Sequence, residues 1–271
     1  MPSPNSFDTQ HPDIYLGDRG FLQRYGSPYS NKEVESWART VSQRSGLGLC
    51  SGDWVTAQAF SQALKDVTFR HLYHSRFLIK VIDKSSARLL SVSEVQQNPT
   101  HYYRSSQYEF LPDLEQIDAD IEIINRFAPR LVSVGGDWLD ILLAQGHTSL
   151  IEQIVRGLIT RAVSGTQWLM LTFNLTDQCL WLLEHLRFDG VLTSVNLLQM
   201  DDVATLAHLQ TIKHRWPLYA LHCLAGGIIP LAPALDYALN HVGVRACIVG
   251  AGSAEHIAEL IKFEASSGRY R

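Results

Sequence analysis

Two apolar runs near the end of the chain each break into a glycine turn. Tyr219-Ala220-Leu221-His222-Cys223-Leu224 runs into Ala225-Gly226-Gly227-Ile228, and Ala246-Cys247-Ile248-Val249 runs into Gly250-Ala251-Gly252-Ser253 before a helical pattern opens at Ala254. Strand, glycine turn and helix start, given twice in succession, is how the last two units of a (β/α)8 barrel hold an anion. Glycine permits positive φ and close backbone approach, and a helix start offers unpaired N–H groups. Gly226, Gly227, Gly250, Gly252 and Ser253 are therefore candidate contacts to a phosphate or a dinucleotide cofactor. No Lys or Arg stands in either turn, so such contacts would come from backbone amides, with His256 as a possible helper.

The rest of the chain supplies matching units. Strands are expected at 14–17, 48–53, 77–82, 130–134, 167–172 and 190–196, with helices at 31–42, around Ala57, Phe60 and Leu64, and at 113–127, 149–160, 176–186, 201–213 and 231–239. Most of the central strands are almost wholly apolar and then turn polar at their C-terminal ends, as in a parallel sheet covered by helices. With the two late strands this makes one TIM barrel spanning residues 1–271. Residues 83–112 read as a long polar loop with an aromatic cluster, either laid over the mouth of the barrel or an excursion without a role. His71 and His74, ahead of the third strand, are expected on the bottom face.

Composition narrows the function classes. The chain is 46% hydrophobic with a formal charge of -4, and no basic run favours a nucleic-acid partner. Its four cysteines show no CxxC pairing and read as small buried thiols of a reducing compartment. The first dozen residues are polar, with Pro2, Pro4 and Pro12, and no apolar run reaches membrane-spanning length, so a cytoplasmic protein is expected. No GxGxxG follows an early strand, which argues against a Rossmann domain. The eleven histidines show no metal-ligand spacing backed by carboxylates, and no metal is assigned.

Polar residues at strand C-termini share one pocket in a barrel, whatever their separation in sequence. Here they are Asp53, Lys80, Asp137, Asn174, Asn196 and His222. A lysine within the apolar run 77–82 needs a counter-charge, and Asp53 is the natural one, which makes the two a candidate acid–base pair. Asn174 and Asn196 could hydrogen-bond a planar amide or a sugar hydroxyl, or simply tie loops together. His222 is a candidate donor or a satisfied core histidine.

These positions resemble those of the aldo-keto reductase superfamily along most of the chain. Tyr25-Gly26 and the helix from Asn31 precede Leu49-Cys50-Ser51-Gly52-Asp53, where the family has a strand ending in an aspartate. Lys80 resembles the family's catalytic lysine. Segment 188–198 resembles the strand presenting nicotinamide-side residues, 217–227 the following strand and cofactor loop, and 249–259 the adenosine-phosphate site. The resemblance implies hydride transfer from NADP or NAD to a small carbonyl, with Asp53 and Lys80 at the acid–base centre. It also implies that Asn174, Asn196, His222 and the glycine turns hold the cofactor, and that Trp54, Asp137, Tyr102 and Tyr103 line the substrate. The chain departs from the pattern in three places. Trp54-Val55-Thr56-Ala57 lacks the tyrosine that follows the aspartate, Gly135-Gly136-Asp137 stands where the histidine belongs, and basic residues after Gly250 are missing. Tyr102 or Tyr103 could supply the absent acid. Two other readings stand beside the reductase. One is a lyase, aldolase or isomerase of a phosphorylated metabolite with Lys80 as base or imine former; the other is a non-catalytic barrel that binds a ligand or partner.

Overall fold

A computed structural model describes residues 12–18, 30–65, 67–199 and 203–267. Tyr25, Gly26 and the first residues of the helix expected from 201 lie outside them. In chain order the elements are β1 (Ile14–Gly17), α1 (Asn31–Arg44), β2 (Gly48–Ser51), α2 (Trp54–Ala63), β3 (His71–His74), β4 (Ile79–Asp83), β5 (Arg88–Leu89), α3 (Val92–Gln97), β6 (Tyr108–Pro112) and α4 (Leu114–Phe127). There follow β7 (Leu131–Gly135), α5 (Asp137–Ala144), α6 (Thr148–Arg161), β8 (Gln167–Leu171), α7 (Asp177–Leu186), β9 (Gly190–Ser194), α8 (Val203–Lys213), β10 (Leu218–Leu221), α9 (Leu231–Asp236), β11 (Ala246–Gly250) and α10 (Ala254–Ser267).

Eight parallel strands close a barrel in the order β1-β11-β10-β9-β8-β7-β3-β2, so the chain is a TIM barrel. Alternation along each strand divides the core in two. Tyr15, Cys50, Leu72, Leu131, Leu169, Leu171, Leu192, Tyr219, Ala246 and Ile248 fill the lumen. A larger cluster, including Leu49, Val132, Val134, Met170 and Val191, packs outward against the helices. All four cysteines are free and buried. Among the described residues no helix is long and apolar enough to cross a membrane.

The third barrel strand is not at 77–82. It is β3, which pairs with β2 through Leu49↔His71 and with β7 through Leu72↔Leu131. The sequence His-Leu-Tyr-His hides this strand because polar side chains stand where an apolar run is expected. Leu72 points into the lumen, whereas His71 faces the helix layer against Phe60 and hydrogen-bonds Ser51 Oγ at 2.8 Å. Burial lowers the His71 pKa to about 4, so its imidazole is neutral. Residues 77–82 mimic a barrel strand because β4 is buried too, but in a separate antiparallel sheet of order β5-β4-β6. The segment 83–112 is therefore not one long loop; it holds β5, α3 and β6. Helix α5 precedes the expected 149–160 helix and adds a turn of backbone at the mouth.

Candidate functional site at the barrel mouth

The barrel places the C-terminal ends of its strands around one mouth, and the β4–β6 insertion packs over one side of it. Between them lies a cleft of about 200 Å³. Its lining includes Asp18 after β1, Gly52 after β2, His74 and Arg76 on β3 and just beyond it, Asp137 and Trp138 opening α5, Phe173 after β8, and Val92 and Gln96 from α3. Two polar contacts tie the insertion to the mouth. Gln96 Nε2 donates to Asp137 Oδ2 at 3.3 Å, and Asn174 Nδ2 donates to Tyr103 Oη at 2.7 Å.

His74 is the cleft residue best suited to move a proton. Its Nδ1 lies 2.8 Å from the Oγ of Ser133, which is fully buried on neighbouring β7. A hydroxyl both donates and accepts, so Ser133 orients the ring in either protonation state. On β10, His222 repeats the arrangement, with Nδ1 2.8 Å from Ser194 Oγ on β9. β3 and β10 stand four places apart in the eight-stranded ring, hence on opposite sides of the mouth. His222 holds a positive φ of 55° and stacks on Phe173, centroids 5.5 Å apart.

Beneath the cleft, Asp120 gathers three donors. Tyr73 Oη and Arg76 Nε donate to its Oδ1, each at 2.8 Å, and the Arg76 backbone N–H donates to Oδ2 at 3.0 Å. A second buried carboxylate, Asp140, accepts from Thr172 Oγ1 at 2.6 Å, the Phe173 N–H at 2.9 Å and Asn174 Nδ2 at 3.3 Å. Burial pushes Asp140 up to about 7. It fixes the backbone that presents Phe173 and Asn174. Burial and the nearby Asp140 raise the Tyr103 phenol to about 12, so it stays protonated.

The residues singled out from sequence fall into separate places. Lys80 sits on β4 outside the barrel, with Nζ 3.7 Å from Asp113 Oδ1 rather than against Asp53. Asp53 caps α2, accepting from the Thr56 N–H at 2.8 Å. The proposed Asp53–Lys80 pair is thus replaced by two local contacts. Trp54 packs edge-on against Phe127 with Arg126 over its ring, and Tyr102 is buried in the insertion against Tyr108. Neither lines the cleft. Asp137 does, while Tyr103 and Asn174 meet each other outside its lining, Asn174 following the lining residue Phe173. Asn196 Oδ1 accepts from the Leu198 N–H at 3.0 Å and closes a turn. Sequence reasoning missed His74, Ser133, Trp138 and Asp140. His74 was missed with the misplaced strand, Ser133 because its partner His74 was, and the last two with the unread helix α5.

The late glycine turns do lie at the mouth end of β10 and β11, as the sequence pattern requires. Gly226 and Gly227 have φ of 72° and 91°, and a Cβ on Gly226, Gly227, Gly250 or Gly252 would meet nothing within 4 Å. Ser253 Oγ accepts from the His256 N–H at 3.3 Å. The adjoining Glu255 carboxyl is held below its usual range by its own backbone N–H, then by the Ser253 hydroxyl. A carboxylate therefore already occupies the start of α10, where a dinucleotide phosphate would need that charge position. An anion bound at these turns would therefore share the start of α10 with the exposed Glu255 side chain. Among the described residues no cluster of His, Cys, Asp and Glu could hold a metal ion.

No family model matches the sequence, and no curated protein does. Two solved structures of a "putative aldo-keto reductase" from Pseudomonas aeruginosa are similar in fold, with TM-scores of 0.55 and 0.51 at 14% identity, covering 94% of this chain and 90% of theirs. The N-acetylmannosamine-6-phosphate 2-epimerase of Clostridium perfringens is similar with a TM-score of 0.52 at 11% identity, over 94% of this chain and 93% of that one. At such identities the likeness is one of fold alone.

Proposed function

We propose that this barrel is an acid–base enzyme that moves a proton on a small hydroxylated or carbonyl metabolite bound in the cleft, with His74 as the proton-carrying group. The observation that carries the reading is the His74–Ser133 pair on the wall of the cleft. A neutral imidazole takes a proton from carbon or oxygen, and the Ser133 hydroxyl steadies the ring in both states. Tyr103, kept protonated, stands near Asn174 as a donor that can polarise a substrate oxygen. His222, on the opposite side and stacked on Phe173, is placed to serve as the second acid or base of an isomerisation.

The test is proton exchange. Incubation with small hydroxy-carbonyl metabolites in D2O, followed by proton NMR, should show loss of one C–H signal. The His74→Gln variant should slow that loss by about 100-fold or more. Equal rates in both proteins would contradict the reading.

A nicotinamide-dependent reductase is the second reading, supported by the fold shared with the Pseudomonas aeruginosa protein. Its acid–base centre would need Lys80 and Asp53 together at the mouth, and its cofactor would need the start of α10. Titration with NADH and NADPH, followed by nicotinamide fluorescence, separates the two readings. Proton transfer without a nicotinamide predicts no binding at millimolar concentrations. The lyase or aldolase reading on a phosphorylated metabolite loses Lys80 as its base.

A further inference from the structure

Two buried polar atoms have no hydrogen-bond partner among the described residues, Ser75 Oγ and Trp138 Nε1. Both residues line the same cleft, and they are only 2% and 1% exposed. Ser75 continues β3 past His74, its backbone N–H donating to Ser133 O at 2.9 Å, so its position is fixed. Trp138 is likewise fixed in the first turn of α5. Buried polar groups are nearly always satisfied, and two orphans on one cleft wall mark a place built for a ligand. We propose that Ser75 and Trp138 anchor an uncharged, polyhydroxylated molecule. The proposal rests on the cleft being the substrate site and names the class of molecule that enters it.

Charge and hydrogen-bond sense select that class. An indole N–H only donates, so the ligand must present an acceptor. Asp18 and Asp137 on the same walls only accept when ionised, so the ligand must also donate. Arg76, the one Lys or Arg among the described lining residues, is already joined to Asp120. A carboxylate or phosphate would meet two acidic walls with no spare Lys or Arg among the described lining residues. An ammonium would suit the carboxylates but offers Trp138 nothing to bind. Hydroxyl groups do both without charge, and Gln96 on α3 adds an amide that can donate or accept. The volume equals that of about six or seven water molecules, the scale of a sugar or short polyol.

The test uses the full chain labelled with 15N-tryptophan. The Trp138 indole resonance is assigned by its loss in Trp138→Phe and followed during titration with xylitol, malonate and putrescine. Xylitol should shift that resonance saturably while malonate and putrescine leave it in place, and Ser75→Ala should weaken xylitol binding about fivefold or more. A shift produced by malonate or putrescine instead, or a resonance that xylitol never moves, would overturn the proposal. So would equal xylitol affinity in Ser75→Ala, or a long-lived water found on the indole in the presence of xylitol. Repeating the titration in His74→Gln keeps the two ideas apart. Binding should persist there even if His74 proves to carry no proton.

Discussion

The two sides of the barrel mouth are built differently, and only one of them is enclosed. Around β10 and β11, small glycine turns lie open, with no side chain near the Cβ positions and a glutamate already at the start of α10. Around β3, β7 and β8, backbones touch. A Cβ on Gly135, at φ +131°, would lie 2.1 Å from Leu171 O, and buried carboxylates hold the loops that frame the cleft. Glycine punctuation alone therefore does not enclose a cavity. Here the β4–β6 insertion supplies the enclosure, on the opposite side.

The comparison breaks most visibly at Gly135. Gly135→Ala should cost more than about 3 kcal/mol or abolish folding, because the clash is with backbone that cannot move aside. Urea denaturation measures it, and a near-neutral result would mean that the β7–β8 contact is looser than described. Asp120→Ala comes next. It leaves Arg76 and Tyr73 without their shared acceptor and should cost about 3 kcal/mol by the same assay.

Two buried groups then give opposite pH dependences. Asp140 is raised to about 7, so the folded protein holds a proton that the unfolded chain loses near pH 4. Its contribution is full below that pH and is lost as pH rises towards 7. His71 is lowered to about 4, so its contribution is full above its unfolded pKa of 6.5 and is lost as pH falls through 4. Each spans roughly 3–4 kcal/mol, and the two nearly cancel between pH 4 and 7. In Asp140→Asn, stability measured across that range should rise with pH; a flat profile would remove the His71 assignment.

Smaller effects test the edges. Tyr103→Phe should cost about 1 kcal/mol and speed amide hydrogen exchange in the insertion, since it removes the bond from Asn174. Unchanged exchange would mean that the insertion is held by its other contacts. On the open side, Gly226→Ala should cost about 1–2 kcal/mol for its positive φ, whereas Gly250→Ala and Gly252→Ala should stay within about 0.5 kcal/mol. A large loss at Gly250 would show that the turns are packed after all.

How much of this was legible in the sequence follows from burial. Strands β7, β8, β9 and β11 announce themselves because a parallel strand is covered on both faces and reads as a continuous apolar run. β3 escapes because its outward His71 is satisfied by Ser51 rather than by apolar packing. β4 takes its place in the sequence because an antiparallel strand under the insertion leaves the same apolar trace. Lys80 and Asp53 looked like partners only through that substitution. Asp137 and Asn174 were visible as polar residues near strand ends; Asp137 lines the cleft, and Asn174 bonds Tyr103 of the insertion. Ser75 and Trp138 gave no signal, because an unmatched donor exists only once its surroundings are known.

The most direct measurement is a crystal structure of the protein with a turned-over metabolite, or one retained through purification, in place. The account predicts density between α3 and α5, with an oxygen or carbon of the ligand within reach of the His74 ring. Density for a phosphate or dinucleotide seated on Gly226, Gly227 and the start of α10, with the cleft left to solvent, would contradict it.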